Sequence, residues 1–160
     1  MTVTIQPRLF GVEQHELTSD DYYTPAWVFE RMGIRFDLDV CSPPGGPPFV
    51  PADRYYTQAD DGLACQWYGR VWMNPPFSFP RPWIDRFIEH RHGVALFPHS
   101  AGLWVNRLWA AADGWVTLER FGFIRGADMT TMPPIPIPLS IAAFGDECVE
   151  AISRLGKVRR

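Results

Sequence analysis

An α/β fold, with a mixed but mostly parallel sheet flanked by helices, is what this sequence of 160 residues predicts. Three observations carry that expectation. Apolar segments of strand length recur along the chain, at 36–41, 70–73, 93–98 and 139–144. Segments of helical character fall between or after them, at 82–92, 103–112 and 147–155, and such alternation is the pattern of strands joined by crossover helices. With 46% hydrophobic and 21% charged residues, the chain has the balance of a folded globular protein, and its length suits a single domain.

Taken in order, residues 1–19 show no clear periodicity and read as a loosely attached arm, with 20–160 forming one domain. A helix follows Thr24 and Pro25: Thr24 is placed to cap it, Pro25 to take its first position and Gly33 to stop it. Phe36-Asp37-Leu38-Asp39-Val40-Cys41 alternates and reads as a strand running into a loop. Residues 42–54 hold much of the proline and glycine and read as an irregular excursion. Arg70-Val71-Trp72-Met73 is a short apolar strand, broken by Asn74-Pro75-Pro76-Phe77. In the helix at 82–92, Trp83, Ile84, Phe87 and Ile88 face inward at spacings of three and four. Residues 93–98 form the clearest buried strand. Beyond the helix at 103–112, strands are expected at 115–119 and 121–124, then a Pro-Ile-rich loop at 133–138, a strand at 139–144 and a helix at 147–155.

Several function classes are excluded. No apolar run approaches the ~20 residues that span a bilayer, and the first residues lack the basic and apolar regions of a signal peptide, so a cytoplasmic location is expected. Cys41, Cys65 and Cys148 include no close pair, which indicates neither a zinc site nor a disulfide framework but ordinary thiols, and no metal. A net charge of −3 gives no overall pull toward nucleic acid, although a small basic face suffices for a few phosphate contacts. Lys157 is the sole lysine, and the basic end from Arg154 to Arg160 reads as a solvated tail more readily than as a phosphate contact. Seven tryptophans and eleven phenylalanines serve equally as core and as stacking platforms for flat ligands.

Asn74-Pro75-Pro76-Phe77 carries the chemistry. In parallel sheets ligands sit beyond the carboxyl ends of the strands, where strand order reverses, and Asp39 and Asn74 both lie at such ends. Two prolines stiffen the backbone and withdraw N–H donors, leaving the Asn74 side-chain oxygen and a proline carbonyl as fixed acceptors for the hydrogens of a planar amine. Phe77 offers a flat face to a purine or pyrimidine, which must be extruded if it comes from duplex DNA. The bland alternative is a rigid turn with Phe77 in the core. Asp37 and Asp39 alternate, so one faces solvent and Asp39, nearer the strand end, is the candidate ligand contact. Thr24 serves equally as a helix cap. Asp60 and Asp61 also suit a turn before Gly62. Trp67 and Trp72 read as core, whereas His99-Ser100, Tyr22, Tyr23 and Tyr55 are candidates to line the site.

At this point the sequence resembles the short phage and prophage DNA adenine-N6 methyltransferases, the Dam-like phage family. The matching pieces are Asp21-Tyr22-Tyr23-Thr24-Pro25, Phe36-Asp37-Leu38-Asp39-Val40-Cys41, Ala52-Asp53-Arg54-Tyr55-Tyr56-Thr57, Asp60-Asp61-Gly62-Leu63 and Val71-Trp72-Met73-Asn74-Pro75-Pro76-Phe77, in that order within residues 21–84. The resemblance implies a Rossmann-like S-adenosylmethionine-dependent methyltransferase acting on DNA with the target base flipped, in a bacterial cytoplasm. It implies that Tyr23, Thr24, Pro25, Asp39, Cys41 and Asp61 bind S-adenosylmethionine. Thr24-Pro25 would lie at its methionine end and Asp61 near its adenine, with Asn74, Pro75, Pro76 and Phe77 holding the target amine for direct transfer.

Two departures stand out. The glycine-rich cofactor loop of such enzymes is replaced by Cys41-Ser42-Pro43-Pro44-Gly45-Gly46, and residues 78–90 leave little room for a target-recognition insert. Selectivity would then fall to loops 42–56 and 125–138 or to the partner in a homodimer. The residues alone do not choose between adenine-N6 and cytosine-N4. A second reading keeps the fold but methylates a protein glutamine, whose planar amide presents a similar amine. A third is a catalytically inactive domain that binds DNA or protein through the old site.

Overall fold

The computed structural model describes residues 22–99, 102–126 and 128–160, so the expected arm at 1–19, Asp20, Asp21 and Ser100 lie outside the described residues. Strands form where apolar residues can be buried on both faces. These are β2 (Phe36–Asp39), β4 (Val71–Met73), β5 (Gly93–Pro98) and β9 (Leu139–Phe144), and in the last three every residue is buried. Together with β3 (Ala52–Tyr55) and β6 (Gly114–Leu118) they make a six-stranded sheet in the order β3-β2-β4-β5-β9-β6. The pairs β3–β2, β2–β4 and β4–β5 are parallel, while β9 runs antiparallel to both its neighbours. The mixed, mostly parallel sheet expected from the sequence is the one observed.

Two helices cover each face. α1 (Ala26–Met32) and α4 (Asp146–Ser153) bury Val28, Phe29, Met32, Val149, Ala151 and Ile152 against one face. α2 (Arg81–His90) and α3 (Leu103–Ala111) bury Ile84, Phe87, Val105 and Leu108 against the other. The period-two alternation of strands sends Trp72 to the first layer and Val71 and Met73 to the second. Trp72 packs edge-on to Phe29 at 4.7 Å.

The structure corrects several expectations. Residues 42–54 are not wholly irregular, because Ala52–Tyr55 pairs in parallel with Phe36, Leu38 and Asp39. This edge strand is mostly exposed and has no apolar alternation to reveal it. The strand expected at 121–124 is two residues, β7 (Ile124–Arg125), which joins β1 (Tyr22–Tyr23) and β8 (Thr130–Thr131) in a second, three-stranded sheet. Phe121 and Phe123 are instead buried in the first core layer. α1 begins one residue later than expected: Pro25 is its N-cap and no side chain caps it, while Gly33 closes it in the left-handed conformation at φ 64°. In α2, Ile84 and Phe87 are fully buried, whereas Trp83 and Ile88 are partly so. The basic end is solvated as expected, with Arg154, Lys157, Arg159 and Arg160 exposed, but it is also tied down, since Arg159 pairs with Trp115 through two backbone hydrogen bonds and lays its guanidinium over the Trp115 ring.

The chain leaves β2 on one side to form β3 and returns on the other to form β4. Strand order therefore reverses between β2 and β4, the place where open α/β sheets receive ligands. Asp39 and the residue after Met73, Asn74, flank that point.

Candidate active site

Asp37 and Asp39 separate as their alternation requires. Asp37 faces outward and accepts from the Arg70 backbone N–H at 2.6 Å. Asp39 is only 2% exposed, and its Oδ1 accepts from the Cys41 N–H at 3.1 Å. Among the described residues no cationic side chain pairs with it. Burial pushes its carboxyl up to about 7, against the lowering effect of that one backbone hydrogen bond.

Asn74 lies opposite, half-buried at the end of β4. Its Nδ2 donates to Thr24 Oγ1 at 3.4 Å, and Thr24 is only 4% exposed. Nothing among the described residues donates to Asn74 Oδ1, so the amide keeps an acceptor on the side away from Thr24. Thr24, read from sequence as either a helix cap or a ligand contact, does not cap α1; its hydroxyl meets Asn74.

Tyr23, Thr24, Asp39, Cys41, Asn74 and Pro76 share one cleft, with about 460 Å³ of space counted out to solvent. A second cleft of about 520 Å³, counted the same way, is lined by Cys41, Ser42, Asp61, Gly62, Pro76 and Trp83. Cys41 and Pro76 border both, so the two clefts adjoin at the carboxyl edge of the sheet. Asp60 and Asp61 divide their roles. Asp60 accepts from the Thr57 N–H and Oγ1, both at 2.8 Å, in a capping box, and these bonds hold its carboxyl below the usual range. Asp61 is left to the second cleft. Gly62 lies so close to β2 that a Cβ there would sit 2.2 Å from the Val40 carbonyl oxygen, and the close approach holds the Asp61 turn against the cleft wall.

Three expected residues do not line either cleft. Pro25 caps α1, its carbonyl accepting from Val28 N–H at 3.1 Å. Pro75 is buried beside Asn74. Phe77 packs edge-on to Phe123 at 6.2 Å, so its ring serves the cleft from behind the wall. Tyr22 joins the lining, whereas Tyr55 is exposed at the end of β3. His99 hydrogen-bonds Ser140 and packs on Trp109, away from both clefts. Sequence reasoning missed the wall built by Pro43, Pro47, Pro48, Phe49 and Val50, and the contribution of Trp72 and Trp83. The proline run was the available signal, since it stiffens a loop that must stand without a helix between parallel β2 and β3.

The fold and site together define an α/β protein with a cleft at the switch point of a mostly parallel sheet. A family model described as DNA N-6-adenine-methyltransferase (Dam) matches residues 12–127, more than half of the chain, and the chain belongs to that family. A curated relative, the DNA N-6-adenine-methyltransferase of Haemophilus phage HP1 (strain HP1c1), is 36% identical over 75 residues. The match covers 44% of this chain and 42% of the relative's length, so the chain spans less than half of that relative. The described residues include no helix long and apolar enough to cross a membrane.

Proposed function

We propose that this protein transfers a methyl group from S-adenosylmethionine to the exocyclic N6 amine of adenine in DNA, on a Rossmann-like methyltransferase fold. The observation that carries the reading is the meeting of Asn74, Thr24 and buried Asp39 in one cleft at the strand-order reversal, in a chain of this family. The order β3-β2-β4-β5-β9-β6 with antiparallel β9 supports the fold assignment.

The fit of the cofactor rests on charge. When bound, S-adenosylmethionine supplies an electrophilic methyl group on a cationic sulfur. A buried carboxylate with no cationic partner among the described residues, Asp39, suits such a ligand, whose charge would hold it ionised. Tyr23, Thr24 and Cys41 would surround the methionine end, and Asp61 in the adjoining cleft would accept from the cofactor's adenine amine.

Asn74 Oδ1 would accept a hydrogen of the target amine, aiming its lone pair at the methyl carbon. Transfer there would form the carbon–nitrogen bond as the carbon–sulfur bond breaks with its electron pair on sulfur, with Asn74 holding the amine and its surplus proton passing to water. An adenine in duplex DNA must leave the stack to reach Asn74. Pro75, Pro76 and Phe77 would brace the loop that receives it. Selectivity would fall to loops 42–56 and 125–138, the second of which contains the β7–β8 hairpin.

The test is transfer of labelled methyl from S-adenosylmethionine to unmethylated DNA. The unaltered protein should label the DNA. Asn74→Ala should lower the rate about 100-fold or more, as loss of an aligned polar group at a reacting centre does, while calorimetry shows cofactor binding kept. Cofactor binding without transfer to DNA by the unaltered protein would overturn the proposal.

A further inference from the structure

The large apolar side chains left exposed are not scattered. Among the described residues, Tyr55 ends β3, Phe79 follows β4 on the segment leading to α2, Leu103 opens α3 after β5, and Ile137 precedes antiparallel β9, all at or beyond the carboxyl edge of the six-stranded sheet, while Met129 lies between β7 and β8. Only Tyr68 of this group precedes a strand at the opposite edge. Single exposed apolar residues need no explanation, but a collar along the sheet edge that carries both clefts marks a surface that something covers.

Phe79 stands out within the collar. It is 65% exposed, two residues beyond Phe77 in the loop that follows Asn74. The two aromatics take opposite directions: Phe77 packs inward on Phe123, and Phe79 projects outward. The loop cannot easily rearrange to hide the exposed ring. It is braced by Pro75, Pro76 and Pro80, by a turn in which Phe79 N–H donates to the Pro76 carbonyl at 3.2 Å, and by the start of α2 at Arg81. Arg81, two residues on, is itself highly exposed, and its one ion pair among the described residues is a long 3.8 Å contact to Asp85. An exposed aromatic with an arginine beside it matches nucleic acid, the ring for a base face and the guanidinium for a phosphate.

We infer that Phe79 enters the DNA duplex beside the target and stacks in the space the flipped adenine leaves. The inference rests on the proposed function. Extruding a base costs its stacking, and an apolar wedge on the same rigid loop that receives the base offsets that cost at the moment of extrusion.

The experiment first methylates unmethylated plasmid DNA and maps the modified sites by sequencing. A duplex with one mapped site is then made in two forms, with the target adenine paired to thymine or facing an abasic position. Phe79→Ala should lower kcat/KM on the paired form about tenfold or more, and on the abasic-opposed form less than about twofold, because an unpaired adenine is cheaper to extrude. Phe79→Trp should restore the paired rate. Because Phe79 is exposed, thermal unfolding of the alanine variant should match the unaltered protein. An equal loss on both duplexes, or no loss on the paired one, would overturn the inference while leaving the proposed function intact. Failure of the unaltered protein to methylate any DNA would instead remove the proposed function, and the inference with it.

Discussion

Replacing Asp39 with Asn should stabilise the protein while abolishing its use of a cationic cofactor. Asp39 is 2% exposed and its carboxyl is raised from 3.8 to about 7, first by desolvation and against a single hydrogen bond from Cys41 N–H. A raised folded-state value means that the folded form holds the proton more tightly than the unfolded chain. The protonated side chain therefore costs nothing below about pH 4. The penalty grows as pH rises between about 4 and 7 and is complete above 7, where the charge is buried with no cationic partner among the described residues. Three units at 1.36 kcal/mol each put that penalty at about 4 kcal/mol. Asparagine keeps an acceptor for Cys41 N–H and removes the charge. Urea unfolding of Asp39→Asn should thus show a gain of about 4 kcal/mol at pH 8 that shrinks toward zero at pH 4, and S-adenosylmethionine should raise the stability of the unaltered protein far more than that of the variant. A variant no more stable than the unaltered protein at pH 8, or a gain independent of pH, would refute the reasoning.

Thr24→Val removes the hydroxyl that meets Asn74 Nδ2 at 3.4 Å; a bond this long is worth about 0.5–1 kcal/mol, so kcat should fall about 2- to 5-fold, with Thr24→Ser recovering it in a steady-state assay. Gly62→Ala would press a Cβ to 2.2 Å from the Val40 carbonyl oxygen, and urea unfolding should show a loss of about 1–3 kcal/mol, with weaker cofactor binding as the Asp61 turn shifts. Phe123→Ala removes a 3%-exposed ring that packs on both Phe77 and Tyr22, and should cost about 3–5 kcal/mol by urea unfolding; it should also raise KM for DNA, because Phe77 loses its backing.

What the sequence made legible follows burial. β4, β5 and β9 are apolar at every residue that counts, and Ile84 and Phe87 declare the inward stripe of α2. The edge strand β3 is Ala-Asp-Arg-Tyr and mostly exposed, so backbone pairing alone makes it a strand. The two-residue strands of the small sheet are too short for any periodicity to show. In the candidate site, the choice of Asp39 over Asp37 and the placement of Asn74 followed from strand geometry. The family resemblance singles out Asp61, while the residues alone do not separate it from Asp60; the capping box with Thr57 supplies the physical reason. Thr24 carried a helix-start signal that the fold assigns to Pro25, because its hydroxyl is turned to Asn74, fifty positions away in sequence. Contacts of that range leave no local pattern. Phe77 shows the same limit: its ring direction is set by Phe123, on the segment that links β6 to the small sheet.

The most direct test of the central claim is the identity of the product. DNA lacking methylated bases is incubated with the protein and S-adenosylmethionine, digested to nucleosides and resolved by mass spectrometry. N6-methyladenine that appears with the unaltered protein and is lost with Asn74→Ala is the result expected of an amine held at Asn74. N4-methylcytosine in its place, or DNA left unmodified while the cofactor binds, would contradict the account.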